Sequence, residues 1–269
     1  MPQKASSARA GRSKKNTRAS LRLPKPGETL IRWVDVGGTE HRELPSDIGP
    51  TGFHENRPVR KFGRYRDMTH FPGLYWAATT TRHLGFESWG ESEWALLLDF
   101  DSAVTGIAAQ PFQLLGRSQK QLWRHVPDYF ASRGDLPPLV LDVRPEDRVD
   151  DELRELVRRT RETCAVLGWD YRLVHKVEPQ LLRNVRFLSA YRRPIPDPLG
   201  LRPQILEAAS EPLTVSGICD AVGPPEVVLP QLYRLCWLHY IQWDLTTQLR
   251  FYATKLVTVA TPAQLKEAA

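Results

Sequence analysis

The chain has 269 residues, a hydrophobic fraction of 41% and a formal net charge of +6, with 37 Lys and Arg against 31 Asp and Glu. That is enough apolar material for the core of one large domain or two smaller ones, and no apolar run approaches the roughly 18 residues a membrane helix needs. The basic balance points to an anionic partner, of which nucleic acid is the commonest.

In chain order, residues 1–25 come first as a Ser/Ala-rich tail carrying Lys4, Arg9, Arg12, Lys14, Lys15, Arg18, Arg22 and Lys25, with no acid before Glu28. Too little apolar surface is present to order it, so it reads as a disordered basic tail, either simply solvated or acting as a phosphate-binding arm. No apolar stretch of about 7–15 residues follows it, so it does not read as a secretory signal and a cytoplasmic location is expected. Cys164, Cys219 and Cys236 form no C-x-x-C pair. Cys164 and Cys236 read as buried thiols of a reducing compartment.

Residues 30–80 hold two short strand-like pieces, of which 30–36 has strand composition. From Pro58 to Ala78, bases and aromatics interleave (Arg60, Lys61, Phe62, Arg64, Tyr65, Arg66, His70, Phe71, Tyr75, Trp76). Such a stretch suits either a loop packed on the core or a nucleic-acid surface, where one residue type meets phosphate and the other stacks on bases. Ser88 to about Leu98 reads as a helix, with Ser88 as N-cap and Glu91 at capping-box spacing. Strands are expected over 104–109, 124–131, 139–144 and 169–174, with an amphipathic helix over 150–167 between the last two. A further helix spans 178–193. Pro194, Pro196 and Pro198 then mark a linker. Beyond it, helices over 203–209, 214–222 and 224–239 precede two strand-like segments at 241–245 and 249–253. That is the order of a winged helix, whose third helix often enters the major groove, although here only Arg234 lies well inside it. DNA contact and protein contact both remain open for this unit.

The chemistry centres on Asp128 and Asp142. If the turn-rich segment 132–138 joins the flanking strands as a hairpin centred on Asp135, the two aspartates lie opposite each other on one face, roughly 5 Å apart. Facing carboxylates repel, and a divalent cation between them removes the conflict; Mg²⁺ suits such hard oxygen ligands. Arg144, two residues after Asp142, is expected on the same face. Glu91 shares a helical stripe with Trp94, Ala95 and Leu98, and a carboxylate in an apolar stripe needs a partner. His125, three residues before Asp128 on what reads as one strand, is expected to point to the other face. Against this stands a plainer reading: Asp128 begins a strand, Asp142 and Arg144 form a surface pair, and Glu91 is only a cap.

Pro127-Asp128 followed by Asp142-Val143-Arg144 resembles the PD-(D/E)XK nuclease signature with Arg in place of Lys. Around it stand Phe86-Glu87-Ser88 with Glu91, then Leu97-Leu98-Asp99-Phe100-Asp101, Ala109-Gln110-Pro111 and His125-Val126-Pro127-Asp128-Tyr129. This text is similar to that of the TnsA-like endonuclease subunits of heteromeric transposases, over about residues 55–195. The resemblance implies an α/β fold with a restriction-endonuclease-like mixed sheet flanked by helices over 26–195. A C-terminal winged-helix-like domain over 201–260 would follow. It implies that Glu91, Asp128 and Asp142 hold Mg²⁺ or Mn²⁺ and that Arg144 stands at the family's Lys. The implied activity is hydrolysis of one strand of double-stranded DNA at transposon ends. The implied partners are an integrase-like transposase subunit and an ATPase regulator of transposition. Two alternatives stand beside it: a catalytically attenuated DNA- or partner-binding assembly subunit of the same fold, and a winged-helix transcription regulator, against which the acid constellation and the sparse bases of the third helix both argue.

Overall fold

The computed structural model describes residues 22–49, 52–60, 72–119 and 121–259. The basic tail up to residue 21 and the interleaved bases and aromatics at 61–71 lie outside the described residues. The strands are Thr29–Val34 (β1), Glu40–Glu43 (β2), Gly73–Ala77 (β3), Arg82–Phe86 (β4), Val104–Ala109 (β5), Phe112–Arg117 (β6), Leu122–His125 (β7), Tyr129–Arg133 (β8), Leu136–Val143 (β9), Asp170–Val174 (β10), Leu213–Thr214 (β11), Ile241–Gln242 (β12) and Lys255–Thr258 (β13). The helices are Trp89–Phe100 (α1), Asp151–Val166 (α2), Pro179–Leu188 (α3), Leu201–Ala208 (α4), Val215–Val222 (α5) and Pro225–Trp237 (α6). None is long and apolar enough to cross a membrane among the described residues.

The fold is mixed α/β, built on several largely antiparallel sheets. One sheet runs β2-β1-β6-β7, a second β10-β9-β8-β5, a third β11-β13-β12, and β3-β4 form a separate hairpin. Among the described residues only β9 and β10 pair in parallel, and α2 supplies the crossover such a pair requires. Alternation divides the second sheet. Tyr129, Ala131, Leu139, Leu141 and Val143 pack with Ala95 and Leu98 of α1, whereas Phe130 and Val140 pack with Cys164 of α2 and with the first sheet. Phe53 is fully buried where the two sheets meet, its ring within 5.1–5.7 Å of those of Trp33, Phe112, Phe130 and Trp169. Burying such a ring contributes about 1.5–3 kcal/mol.

The expected strand over 124–131 is two strands. Pro127 lacks a backbone N–H and cannot continue a ladder, so β7 ends at His125 and pairs with β6 while β8 begins at Tyr129 and pairs with β5 and β9. The strands β2, β4, β6 and the two-residue β11 are additions to the sequence reading, whereas β3 falls within the strand-like stretch 58–78. In the C-terminal unit the last strand is Lys255–Thr258 rather than 249–253, where the chain turns.

The C-terminal unit shares its core with the rest. Leu96 and Phe100 of α1 and Val185 and Leu188 of α3 belong to one buried cluster with Leu201, Ile205, Ile218, Leu232 and Leu256. The segment expected as a linker is pinned to it. Gln231 Nε2 donates to the Pro196 carbonyl at 2.8 Å and Arg202 to that of Ile195. The Asp197 carboxylate accepts the backbone N–H groups of Leu201 and Arg202 at the start of α4. Arg234, the base inside α6, donates to the carbonyls of Tyr191 and Arg192.

Candidate active site

The first turn of α1 brings the first acid into place. Ser88 caps the helix, its Oγ accepting the Glu91 N–H at 3.2 Å. The Glu91 carboxylate reaches back to the Glu87 N–H at 2.7 Å and the Ser88 hydroxyl at 2.9 Å, a capping-box variant in which it takes the N–H one residue ahead of the cap. Glu91 is nonetheless only 7% exposed. Burial raises its carboxyl above the ordinary range, more than the Glu87 N–H and Ser88 hydroxyl lower it, and the Glu87 carboxylate adds repulsion.

Strand register places the second pair. Tyr129 pairs with Leu141, Phe130 with Val140 and Ala131 with Leu139, so Asp128 stands opposite Asp142 as symmetry about Asp135 predicts. A register shift beyond Ala131 leaves Gly134 and Asp135 as the turn. Their side chains nevertheless take different surroundings. Asp128 lies in a bend just ahead of β8, where strand alternation no longer governs direction. Its Oδ2 accepts the Val143 N–H and the Arg144 guanidinium, both at 2.8 Å. Among the described residues nothing donates to its Oδ1. Asp142 remains inside β9 and turns inward. Its Oδ2 is 2.7 Å from His125 Nε2 and 2.7 Å from the Tyr171 hydroxyl, and its Oδ1 accepts the Asp128 N–H at 3.3 Å.

One expectation is corrected here. His125 does not point away: the break at Pro127 resets the alternation and delivers its ring to Asp142. Arg144 stands beside the site as expected, past the end of β9, and pairs there with Asp128. Tyr171 went unnoticed in the sequence. The parallel register sets Tyr171 beside Val140, on the same face as Asp142.

The electrostatics separate the two aspartates. Burial, then Asp142 and Glu91, push the Asp128 carboxyl up to about 7 against the pull of Arg144. Burial acts on Asp142 in the same direction, but the His125 ring, the Tyr171 hydroxyl and Arg144 outweigh it and hold the carboxyl below its usual range. Burial works against the Arg144 cation, yet Asp128 and Asp142 keep its pKa above the ordinary arginine value.

Glu91, Asp128 and Arg144 line one cavity of about 620 Å³, together with Arg60, Glu87, Glu93, Arg148, His175 and Lys176. Asp142 is not among its lining residues; it sits behind Asp128. Among the described residues no group of three or more His, Cys, Asp and Glu is gathered closely enough to hold a metal ion, so the three-carboxylate cluster expected from the sequence is not assembled in this conformation. What the cavity does contain is two carboxylates with raised pKa, Glu91 and Asp128, and an Asp128 oxygen to which no described residue donates. Mg²⁺ is commonly held by one or two carboxylates and completes its shell with water and substrate phosphate, so the donors present fit it. Arg148 and Lys176 follow β9 and β10, and the outer ends of parallel strands are where ligands gather. Comparison of the chain with protein-family models and with curated proteins gives no match.

Proposed function

We propose that the chain is a Mg²⁺-dependent DNA endonuclease, the strand-cleaving subunit of a heteromeric transposase acting on double-stranded DNA at transposon ends. One observation carries the reading: Glu91 and Asp128, two carboxylates burdened by burial, open into the same cavity as the cations Arg60, Arg144, Arg148 and Lys176. A purely structural acid pair has no need of such a basic surround, whereas a phosphodiester has.

Glu91 and Asp128 would hold the cation, with Asp142 behind them. When bound, Mg²⁺ (or Mn²⁺) supplies Lewis acidity to a phosphate oxygen and lowers the pKa of a water. Arg144 cannot act as a base because it keeps its proton, so its part is to bind phosphate and stabilise developing charge. Its present partner, Asp128, is the ligand it stands beside. Asp142 fixes the Asp128 peptide through the Asp128 N–H and is itself held by His125 and Tyr171. In this reading 26–195 corresponds to a restriction-endonuclease-like unit. The helix and strand order α4, β11, α5, α6, β12, β13, with its three-stranded sheet, corresponds to a winged helix over 201–260.

The C-terminal unit suits protein contact better than base reading. Arg234 of α6 is spent on backbone carbonyls, and the first turn of α6 carries Glu226. An integrase-like transposase subunit and an ATPase regulator are the partners this reading supplies. The second reading, an attenuated assembly subunit, rests on a specific observation as well: Asp142 is fully engaged by His125 and Tyr171 and faces away from the cavity.

The deciding experiment is single-turnover cleavage of a transposon-end duplex with Mg²⁺ and the partner transposase, comparing wild type with Asp128→Ala. Cleavage by wild type alone supports the nuclease. DNA or partner binding without cleavage by either protein selects the assembly subunit.

A further inference from the structure

Gln110 joins two features that are each unfavourable. It connects β5 to β6, the point where the chain passes from one sheet to the other. Its backbone is left-handed at φ 49°, a region that side-chain-bearing residues seldom enter, and Pro111 behind it disfavours the right-handed helical alternative. Its side chain is 1% exposed, and the buried amide Nε2 has no partner among the described residues. Among the described residues Thr81 and His239 also have positive φ, but neither combines it with a stranded donor. Glycine would relieve the backbone and remove the buried amide together. Strain and an orphaned polar group at one buried position direct attention to what the side chain does.

Among the described residues the side chain makes one hydrogen bond. Arg60 Nε donates to Gln110 Oε1 at 3.1 Å. Arginine can only donate, so the carboxamide oxygen must face it and the nitrogen is turned away. The backbone is drawn into the same arrangement. The Gln110 N–H donates to the Asp128 carbonyl and its carbonyl accepts the Val59 N–H, each at 2.9 Å. Gln110 thus ties the segment bearing Arg60 to the peptide bearing Asp128. Arg60 lines the cavity beside Glu91 and Asp128 with its side chain 49% exposed. One Nη2 hydrogen goes to Glu87, and Nη1 donates to no described residue.

We infer that Arg60 is a phosphate-binding arm of the cavity and that Gln110 is the positioning residue which aims it. Naming the anion as a backbone phosphate of duplex DNA rests on the nuclease reading; the anion seat itself does not. With Nε anchored, the guanidinium presents its Nη edge to the cavity in one orientation, the geometry in which arginine grips a phosphate through two parallel N–H groups. The Glu87 carboxylate holds that edge in the absence of an anion, and a phosphate oxygen takes over the hydrogen bond when it arrives.

The test uses the full chain labelled with ¹⁵N and inorganic phosphate as the probe. The Arg60 Nε–H resonance, assigned by its loss in Arg60→Lys, should move on phosphate titration in wild type. In Gln110→Gly the phosphate affinity read at the remaining guanidinium signal should fall about tenfold, while the thermal midpoint is unchanged or higher, since glycine accepts φ 49°. Gln110→Asn tolerates the same backbone but is one methylene short of Arg60, and should show the same loss. A duplex-binding measurement in the same variants should follow the phosphate result. The inference is overturned if the Arg60 resonance does not respond to phosphate in wild type, or if it responds with equal affinity in Gln110→Gly and Gln110→Asn. If phosphate binds as expected while wild type neither binds nor cuts duplex, the anion seat stands and the nuclease reading falls.

Discussion

Tyr171 and Asp142 face one another across the parallel pair β10-β9, the phenol hydroxyl 2.7 Å from the carboxylate oxygen that His125 also approaches. A fully buried carboxylate is tolerable because three donors converge on it, and removing any of them exposes the desolvation it carries. Tyr171→Phe should therefore destabilise the protein by about 1.5–3 kcal/mol, the worth of a hydrogen bond to a charged group. Asp142→Ala should lose about 3–5 kcal/mol by stranding its partners. Urea denaturation measures both. A loss below about 0.5 kcal/mol in Tyr171→Phe would show that the phenol is not holding Asp142.

Asp128 gives the protein a dependence on pH whose sign follows from its raised carboxyl. The folded form takes up its proton at a pH where the unfolded chain has already released it. The stability contributed by the neutral group is therefore present below about pH 4 and is lost as pH rises towards about 7. Asp142 is shifted the other way, and its contribution is lost only at more acid pH. In metal-free buffer the thermal midpoint should fall between about pH 4 and pH 7, and Mg²⁺ should restore part of it at the upper end only. Asp128→Asn should flatten the profile and abolish the Mg²⁺ effect. A Mg²⁺ effect that survives in Asp128→Asn would place the cation elsewhere.

In the nuclease reading, Arg144 and a bound cation would compete for the same carboxylate, Asp128. Arg144→Ala should lower cleavage by about 10²–10³-fold, the loss expected from one well-placed electrostatic donor. Mg²⁺ affinity, read by calorimetry, should be unchanged or tighter because Asp128 Oδ2 is released. Arg144→Lys should keep much of the activity. Cleavage by Arg144→Ala at the wild-type rate would reduce the residue to a counterion of Asp128.

The proline segment should resist proteolysis. With the Pro196 and Ile195 carbonyls and the Asp197 carboxylate all engaged by the C-terminal unit, nicking between 194 and 199 should be slower than at the 243–254 turn. Residues 201–269 alone should fail to give a cooperative melt, since Leu96, Phe100, Val185 and Leu188 complete their core. A sharp calorimetric transition from that fragment would show that the unit stands by itself.

Where local periodicity governs, the sequence was legible. Val104–Ala109 is a strand with the bounds its apolar run suggests. Ser88 and Glu91 mark the start of α1, and Asp150 caps α2. The symmetry of Asp128 and Asp142 about the turn gave their register correctly. What it did not give was direction, because Pro127 and the end of β9 suspend the alternation on which the face assignment depended. Nor could spacing find Arg60 and Gln110, which are 50 residues apart and meet only through a change of sheet. The two residues of β11 are too few to show any period, and Tyr171 is recognisable only once the parallel partner of β9 is known.

Helix α1 belongs to two places at once. Its first turn holds Glu91 at the cavity, while Leu96 and Phe100 near its far end are embedded in the core of the C-terminal unit, and the His239 ring lies against Phe100 and bonds its carbonyl. Twelve residues of α-helix form a rod of about 18 Å, and such a rod transmits displacement rather than absorbing it. A tilt of the C-terminal unit would therefore act on the far end of the same lever on which Glu91 is mounted, and the spacing between Glu91 and Asp128 would respond to a displacement that begins outside the cavity.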